Sequence, residues 1–123
     1  FMFNTLNSIA ALVSARQVET AERMVENLSD FLRAGLALDP NEDIPLAREI
    51  ELQSLYLAIE AVRFPDRLRV TIDVPEALHA VEVPSLITQP LVENAVRHAV
   101  APSTAPVELR ISAGESAGGV RIE

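Results

Sequence analysis

QPLVENAVRHAV, residues 89–100, sets Glu93, Asn94, Arg97 and His98 into an otherwise apolar helical pattern. Residues three and four apart share a helical face, so Asn94 lies on one side with Leu91, Arg97 and His98, and Glu93 is spaced to pair with Arg97. An amide oxygen is a suitable hard ligand for Mg2+, and a guanidinium with an imidazole one turn further on suits the phosphates that such a metal carries. The same residues equally describe a solvated helix face closed by an intrahelical Glu93–Arg97 pair. The segment is predicted to be helical over about 85–99, with Leu86, Leu91, Val92, Ala95, Val96 and Ala99 on its buried side. Pro90 cannot donate to the carbonyl of Leu86, so the helix either starts late or bends there.

Both flanks of this helix alternate with period two. Upstream, LRVTIDV (68–74) sends Leu68, Val70, Ile72 and Val74 one way and Arg69, Thr71 and Asp73 the other, the pattern of a half-buried strand. Val81 and Val83 suggest a short second strand before Pro84, with His79 in the loop between, where an exposed loop histidine is the plain reading. Downstream, APSTAP breaks the chain, Val107, Leu109 and Ile111 alternate, and GESAGG turns the chain into Val120 and Ile122, a hairpin. Further upstream, Leu46, Ile50, Leu55, Leu57, Ile59 and Val62 mark a long helix to about Arg63, stopped by Pro65. Its apolar residues spread over more than one side, which suits a helix resting on a sheet with a second contact elsewhere. Asp43 is placed to cap it. The order helix, strand, strand, helix, strand, strand implies an α+β arrangement, with helices on one face of a mainly antiparallel sheet.

The first 38 residues read differently. Phe3, Leu6, Ile9, Ala10 and Val13 recur at three- and four-residue steps, the phase is lost at 16–19, and Ala21, Met24, Val25, Leu28, Phe31 and Leu32 resume it to about Leu36. This is a helical hairpin, with Gly35 available to end its second helix. Two helices cannot enclose Phe1, Phe3, Leu6, Phe31 and Leu32 together, and a homodimeric four-helix bundle is the simplest cover. LDPNEDIP, turn-rich and acidic, marks a boundary, giving a hairpin over 1–38 and a second unit over 39–123.

Composition narrows the function classes. At 49% hydrophobic and 23% charged, the chain has the material for a core and is not of disordered type. A net charge of −8 disfavours nucleic acid, since Arg63, Arg67 and Arg69 form the one dense basic group and Asp66 interrupts it. Without cysteine there is no disulfide or thiolate chemistry, in keeping with a reducing, cytoplasmic setting. No apolar run approaches the ~20 residues of a membrane span, so no membrane contact is expected of this stretch.

Two separated motifs then carry a family resemblance. FMFNTLNSIAALV resembles the segment that follows the phosphoacceptor histidine in LytS-like sensor histidine kinases, through Phe1, Phe3, Asn4, Thr5, Leu6 and Asn7. PSLITQPLVENAVRHAV resembles the N box of the same family, with Gln89, Pro90, Leu91, Val92, Glu93, Asn94, Ala95 and His98 in register. LSDFLR, the helix start at 46–49 and IEAVRFPDRL are family-like as well, so the likeness covers nearly the whole chain. The resemblance implies a dimerising phosphotransfer hairpin over 1–38 and, over 39–123, the beginning of a GHKL (Bergerat-type) ATP-binding α/β sandwich. The phosphoacceptor histidine would stand just before Phe1 and the glycine box just after Glu123. Residues 1–123 alone are therefore expected to be inactive, and neither His79 nor His98 substitutes for the acceptor.

By the same resemblance, Mg2+ held partly by Asn94 would bridge the phosphates of ATP, Arg97 and His98 would help to neutralise them, and the upstream imidazole would attack the γ-phosphorus. The phosphoryl group would pass to the receiver domain of a response regulator. Such transfer asks mainly for positioning and charge neutralisation from the protein. Asn4 stands one helical turn after that histidine, where its amide could orient a water for dephosphorylating the regulator, or could simply hydrogen-bond within the hairpin. The alternative function is a catalytically inactive module that dimerises and docks a regulator without binding nucleotide.

Overall fold

A computed structural model describes residues 2–39, 41–116 and 119–122. Helix α1 (Met2–Ser14) and helix α2 (Val18–Leu36) form the expected hairpin, and Arg16, with φ of 61°, turns the joint. Phe1 lies outside the described residues. Gly35 does not end α2. The helix continues to Leu36 and closes with Ala37 in the right-handed region, where the Ala37 and Leu38 amides reach the carbonyls of Arg33 and Gly35, so no left-handed residue is required.

Strand β1 (Asp43–Pro45) follows, a strand that the boundary reading of 38–45 does not anticipate. Asp43 belongs to this strand and caps nothing. Helix α3 (Leu46–Arg63) has Pro45 at its N-cap, and its first amides, Leu46 and Ala47, donate to the carbonyls of Val81 and His79 at 2.7 and 3.0 Å. Loop carbonyls thus satisfy the orphan donors that a capping side chain would otherwise take. As its apolar spread suggested, α3 is held on several sides. Ile59 packs with Met24 and Leu28 of α2, Leu46 and Leu52 with Ile44 and Val83, and Tyr56 and Leu57 with the sheet side of the core.

Strand β2 (Leu68–Asp73), a 3-10 turn (Glu76–Leu78), strand β3 (Glu82–Pro84), helix α4 (Gln89–Ala95) with a π-helical turn (Val96–Val100), strand β4 (Val107–Ser116) and strand β5 (Gly119–Ile122) complete the order. The mixture of helix and strand is the α+β composition expected. Strands β1 and β3 pair antiparallel as a small ribbon, and β4 pairs antiparallel with β5, as the hairpin pattern requires. Residues 117 and 118, between the two strands in the sequence, lie outside the described residues. The longest pairing, β2 with β4, is parallel, so the sheet β2-β4-β5 is mixed where a mainly antiparallel one is expected. The helical crossover through α4 between β2 and β4 permits it.

The parallel register sets Val70 opposite Leu109 and Ile72 opposite Ile111. Leu109 and Ile111 are buried under α3 and α4, whereas Val70 and Ile72, on the edge strand, are 39% and 37% exposed. Strand β2 is accordingly more open than the half-buried strand that its alternation predicts. Helix α4 starts late. Pro90 occupies the first turn, where its missing N–H costs no bond, and residues 85–88 form the turn before it. Its buried side is Val92, Val96 and Val100, while Leu91, expected inside, is 69% exposed and Ala99 is exposed too. The π turn, closed by the Ala101 amide on the Val96 carbonyl at 2.9 Å, widens the helix so that residues four apart line up along one face.

Candidate functional site

Helix α3 carries Glu49, Gln53, Tyr56 and Glu60 at helical spacing along one face, and all four are buried. A buried carboxylate is costly unless its lone pairs are filled. Glu49 fills them from the segment that leads into α4. Its Oε2 accepts from the Leu86 amide at 2.8 Å, and its Oε1 accepts from the Thr88 amide at 3.1 Å and the Thr88 hydroxyl at 2.5 Å. Gln53 Nε2 lies 3.4 Å from Glu49 Oε1 and donates to Gln89 Oε1 at 2.9 Å, and Gln89 Nε2 in turn donates to Glu93 Oε1 at 2.9 Å. Two amides therefore bridge a buried carboxylate on α3 and a half-buried one on α4. Gln53 Oε1 is buried without a hydrogen-bond partner among the described residues.

Glu93 is thus engaged along its own helix by Gln89, and among the described residues no ion pair joins it to Arg97. The Glu93–Arg97 pair that the spacing allows does not form; Glu93 instead accepts from the Gln89 amide, one turn before it on the same helix. Glu93 and Arg97 both line a recess of about 180 Å3 together with Asn4, Tyr56, Glu60 and Arg63. Arg63 donates to both oxygens of Glu60, at 3.1 and 2.8 Å. Burial nevertheless holds the Glu60 carboxyl above its ordinary range, against the lowering effect of Arg63. Burial, with the neighbouring Glu60 and Glu93 charges, also pushes the Tyr56 hydroxyl well up, so it stays protonated.

Of the residues singled out in the sequence, Asn4 and Arg97 meet at this recess although helix α1 and the π turn are far apart in the chain. Asn94 and His98 do not line it. They stand exposed beside it, Asn94 on α4 and His98 on the π turn, and none of Asn94, Arg97 and His98 makes a side-chain hydrogen bond or ion pair with another described residue. Three polar groups on successive turns are therefore accessible to a ligand. Among the described residues no group of three or more His, Asp or Glu is placed to hold a metal. His79 is exposed in the loop after the 3-10 turn, its Nε2 at 3.2 Å from the Val74 carbonyl. Glu49, Gln53 and Glu60 were given no site role by sequence reasoning, and Gln89 entered only through the N-box resemblance. The signal for Glu49, Gln53 and Glu60 was polar side chains at 49, 53, 56 and 60, spaced to share one face of a helix that carries a second polar face through Arg48, Glu51 and Ser54.

Residues 1–68 match the profile of the family described as histidine kinase. The chain is 38% identical over 122 residues to Sensor histidine kinase YpdA of Escherichia coli K12, covering 99% of this chain and 21% of that protein. It is 44% identical over 98 residues to Sensor histidine kinase BtsS of the same organism, covering 80% and 17%. It is 39% identical over 99 residues to Sensor protein LytS of Enterococcus faecalis, again 80% and 17%. The chain spans about a fifth of the length of these relatives. Among the described residues no helix is long and apolar enough to cross a membrane.

Proposed function

Since the chain belongs to the histidine kinase family, among its LytS-like sensors, we propose that it is the part of a two-component sensor kinase in which the phosphotransfer hairpin joins a GHKL-type ATP-binding domain. In this reading α4 and its π turn hold Mg-ATP, a histidine expected just before Phe1 receives the phosphoryl group, and the receiver domain of a response regulator takes it on. The observation that supports it best is that α1 and α4 contribute side chains to one recess. Asn4, from the segment that resembles the sequence after the phosphoacceptor, shares a recess with Glu93 and Arg97 of the N-box-like helix.

The side chains present suit the ligand. Asn94 offers an exposed amide oxygen, the hard donor that Mg2+ takes, and Mg2+ on a nucleotide commonly needs only one or two protein oxygens. Bound there, the metal would offset phosphate charge. Arg97 and His98, exposed one turn on, would contact and neutralise the phosphate oxygens. Arg97 lies between these exposed groups and the recess, so it can serve both. Asn4 lines the recess, and in this reading its amide would hydrogen-bond a water there for dephosphorylating the regulator.

The test is Asn94→Ala in the full-length protein that contains this chain. Loss of one metal ligand should weaken Mg-ATP binding and lower histidine autophosphorylation by ~100-fold. A folded Asn94→Ala protein that binds Mg-ATP and phosphorylates as before would remove the nucleotide role from α4.

A further inference from the structure

We propose that Glu49 and Gln53 are positioning residues for the ligand face of α4, acting through Gln89 on Glu93 and on the adjoining Asn94. The inference rests on the reading of α4 as the nucleotide-holding helix. It starts from a residue choice that packing does not explain. At the buried face of α3, an apolar side chain would close the core without the desolvation of a carboxylate and an amide, yet Glu49 and Gln53 are both fully buried there.

Their bonds all point one way. Three donors on Glu49 come from Leu86 and Thr88, the residues immediately ahead of α4. Leu86 adopts φ of 59°, a left-handed conformation that a leucine disfavours, and its amide is one of those the carboxylate holds. The carboxylate thus ties down the strained entry from which the helix sets out. Gln53 supplies the second tie. Its amide nitrogen bridges Glu49 and Gln89, and Gln89 passes the connection to Glu93 at the next turn. In doing so Gln53 leaves its own Oε1 buried without a hydrogen-bond partner among the described residues. A glutamine kept for stability alone would satisfy both ends of its amide, because an unpaired buried carbonyl counts against folding. What the arrangement secures instead is the rotation of α4 about its own axis. With Gln89 and Glu93 tied to α3, Glu93 faces the recess, and Asn94, one residue on, is turned out of it.

The experiment is a double-mutant cycle in the full-length protein, with Gln53→Met, Glu93→Ala and the pair, read by Mg-ATP affinity, autophosphorylation rate and Tm. Gln53→Met keeps the volume and removes both the relay and the orphaned carbonyl. It should weaken ATP binding and slow phosphorylation roughly tenfold without lowering Tm, an uncoupling that a purely structural glutamine would not show. In the Glu93→Ala background the same change should have little further effect, because both act along one line. Unchanged ATP affinity in Gln53→Met, or effects that multiply in the double variant, would overturn the inference. Should Gln53→Met not fold, Gln89→Leu breaks the same relay at a half-buried position and is judged by the same outcomes. Asn94→Ala separates the two levels. If it disrupts ATP binding while Gln53→Met is silent, the positioning role alone falls, and if it is silent, the nucleotide reading falls with it.

Discussion

Glu49 and Glu60 stand 11 positions apart on one face of α3, buried to 0% and 1% exposure, yet their surroundings differ in kind. Glu49 is ringed by donors, and Glu60 has Arg63 against an otherwise desolvating wall. The same isosteric change should therefore have opposite effects. Glu49→Gln turns an NH2 group toward donors from Leu86, Thr88 or Gln53 and should cost ~1–3 kcal/mol in denaturant unfolding. For Glu60 the sign follows from its raised pKa. A carboxyl that binds its proton more tightly when folded contributes stability that is complete below its unfolded pKa, about 4.3, and is lost as pH rises through the higher folded value. Glu60→Gln, neutral throughout and still able to accept from Arg63, should gain in Tm over the parent as pH rises from about 4 towards neutrality. A Tm difference that does not change with pH, or that shrinks as pH rises, contradicts this assignment.

At the scale of the element, the turn from α to π in the last part of α4 decides which residues meet the core. Val92, Val96 and Val100 follow one another at intervals of four and are buried, with Val100 fully enclosed. Val100→Ala should accordingly destabilise by ~1–3 kcal/mol, the worth of a buried valine side chain. Leu91→Ala, at an exposed position, should stay within ~0.5 kcal/mol. Equal losses at the two positions, measured by chemical denaturation, would mean that the helix faces the sheet as an undistorted α-helix does. The wider turn also sets Arg97 at the recess with Glu93 while His98 stays outside it. Helices α1 and α2 show the complementary case, an apolar stripe larger than the intramolecular contact uses.

For the whole molecule, that surplus is the ground for proposing a homodimer through residues 1–38. Phe3, Val13, Val18 and Leu36 are more than half exposed, and Leu6 and Val25 nearly so, on a hairpin that packs on α3 through Met24 and Leu28 with Ile9, Leu12, Phe31 and Leu32. Light scattering at tens of micromolar, on the order of ordinary homodimer working concentrations, should report twice the chain mass. Leu6→Glu should give a folded monomer. Leu28→Glu should unfold the protein, because Leu28 packs with Met24 and Ile59 inside one chain. A monomeric parent, or unfolding by Leu6→Glu, counts against the bundle. Phosphorylation tests the chain in another way. Incubated with γ-labelled ATP and Mg2+, residues 1–123 should acquire no acid-labile phosphate, and label on His79 or His98 would reassign the acceptor.

The helices, their order and the hairpin at the end were legible in the residues themselves, because apolar periodicity and chain breakers such as Pro65 act locally. Asn94, Arg97 and His98, the residues proposed to hold the ligand, could be picked out for a related reason, since polar residues on an apolar helix stand out within a single turn. Which strands pair was not: β2 lies parallel to β4, and β1 meets β3, through partners 39 residues apart in the sequence, as Ile44 is from Val83. Pairing is a contest among long-range alternatives, and the alternation within a strand carries no record of its winner. Glu49 and Gln53 were hidden likewise. On the sequence they look like the polar side of a surface helix, and it is the docking of the 85–88 turn onto α3 that buries them and makes them ligands of the backbone. Periodicity in the sequence determined which residues share a face, and tertiary structure decided which faces are covered, because burial depends on what the rest of the chain brings to each surface.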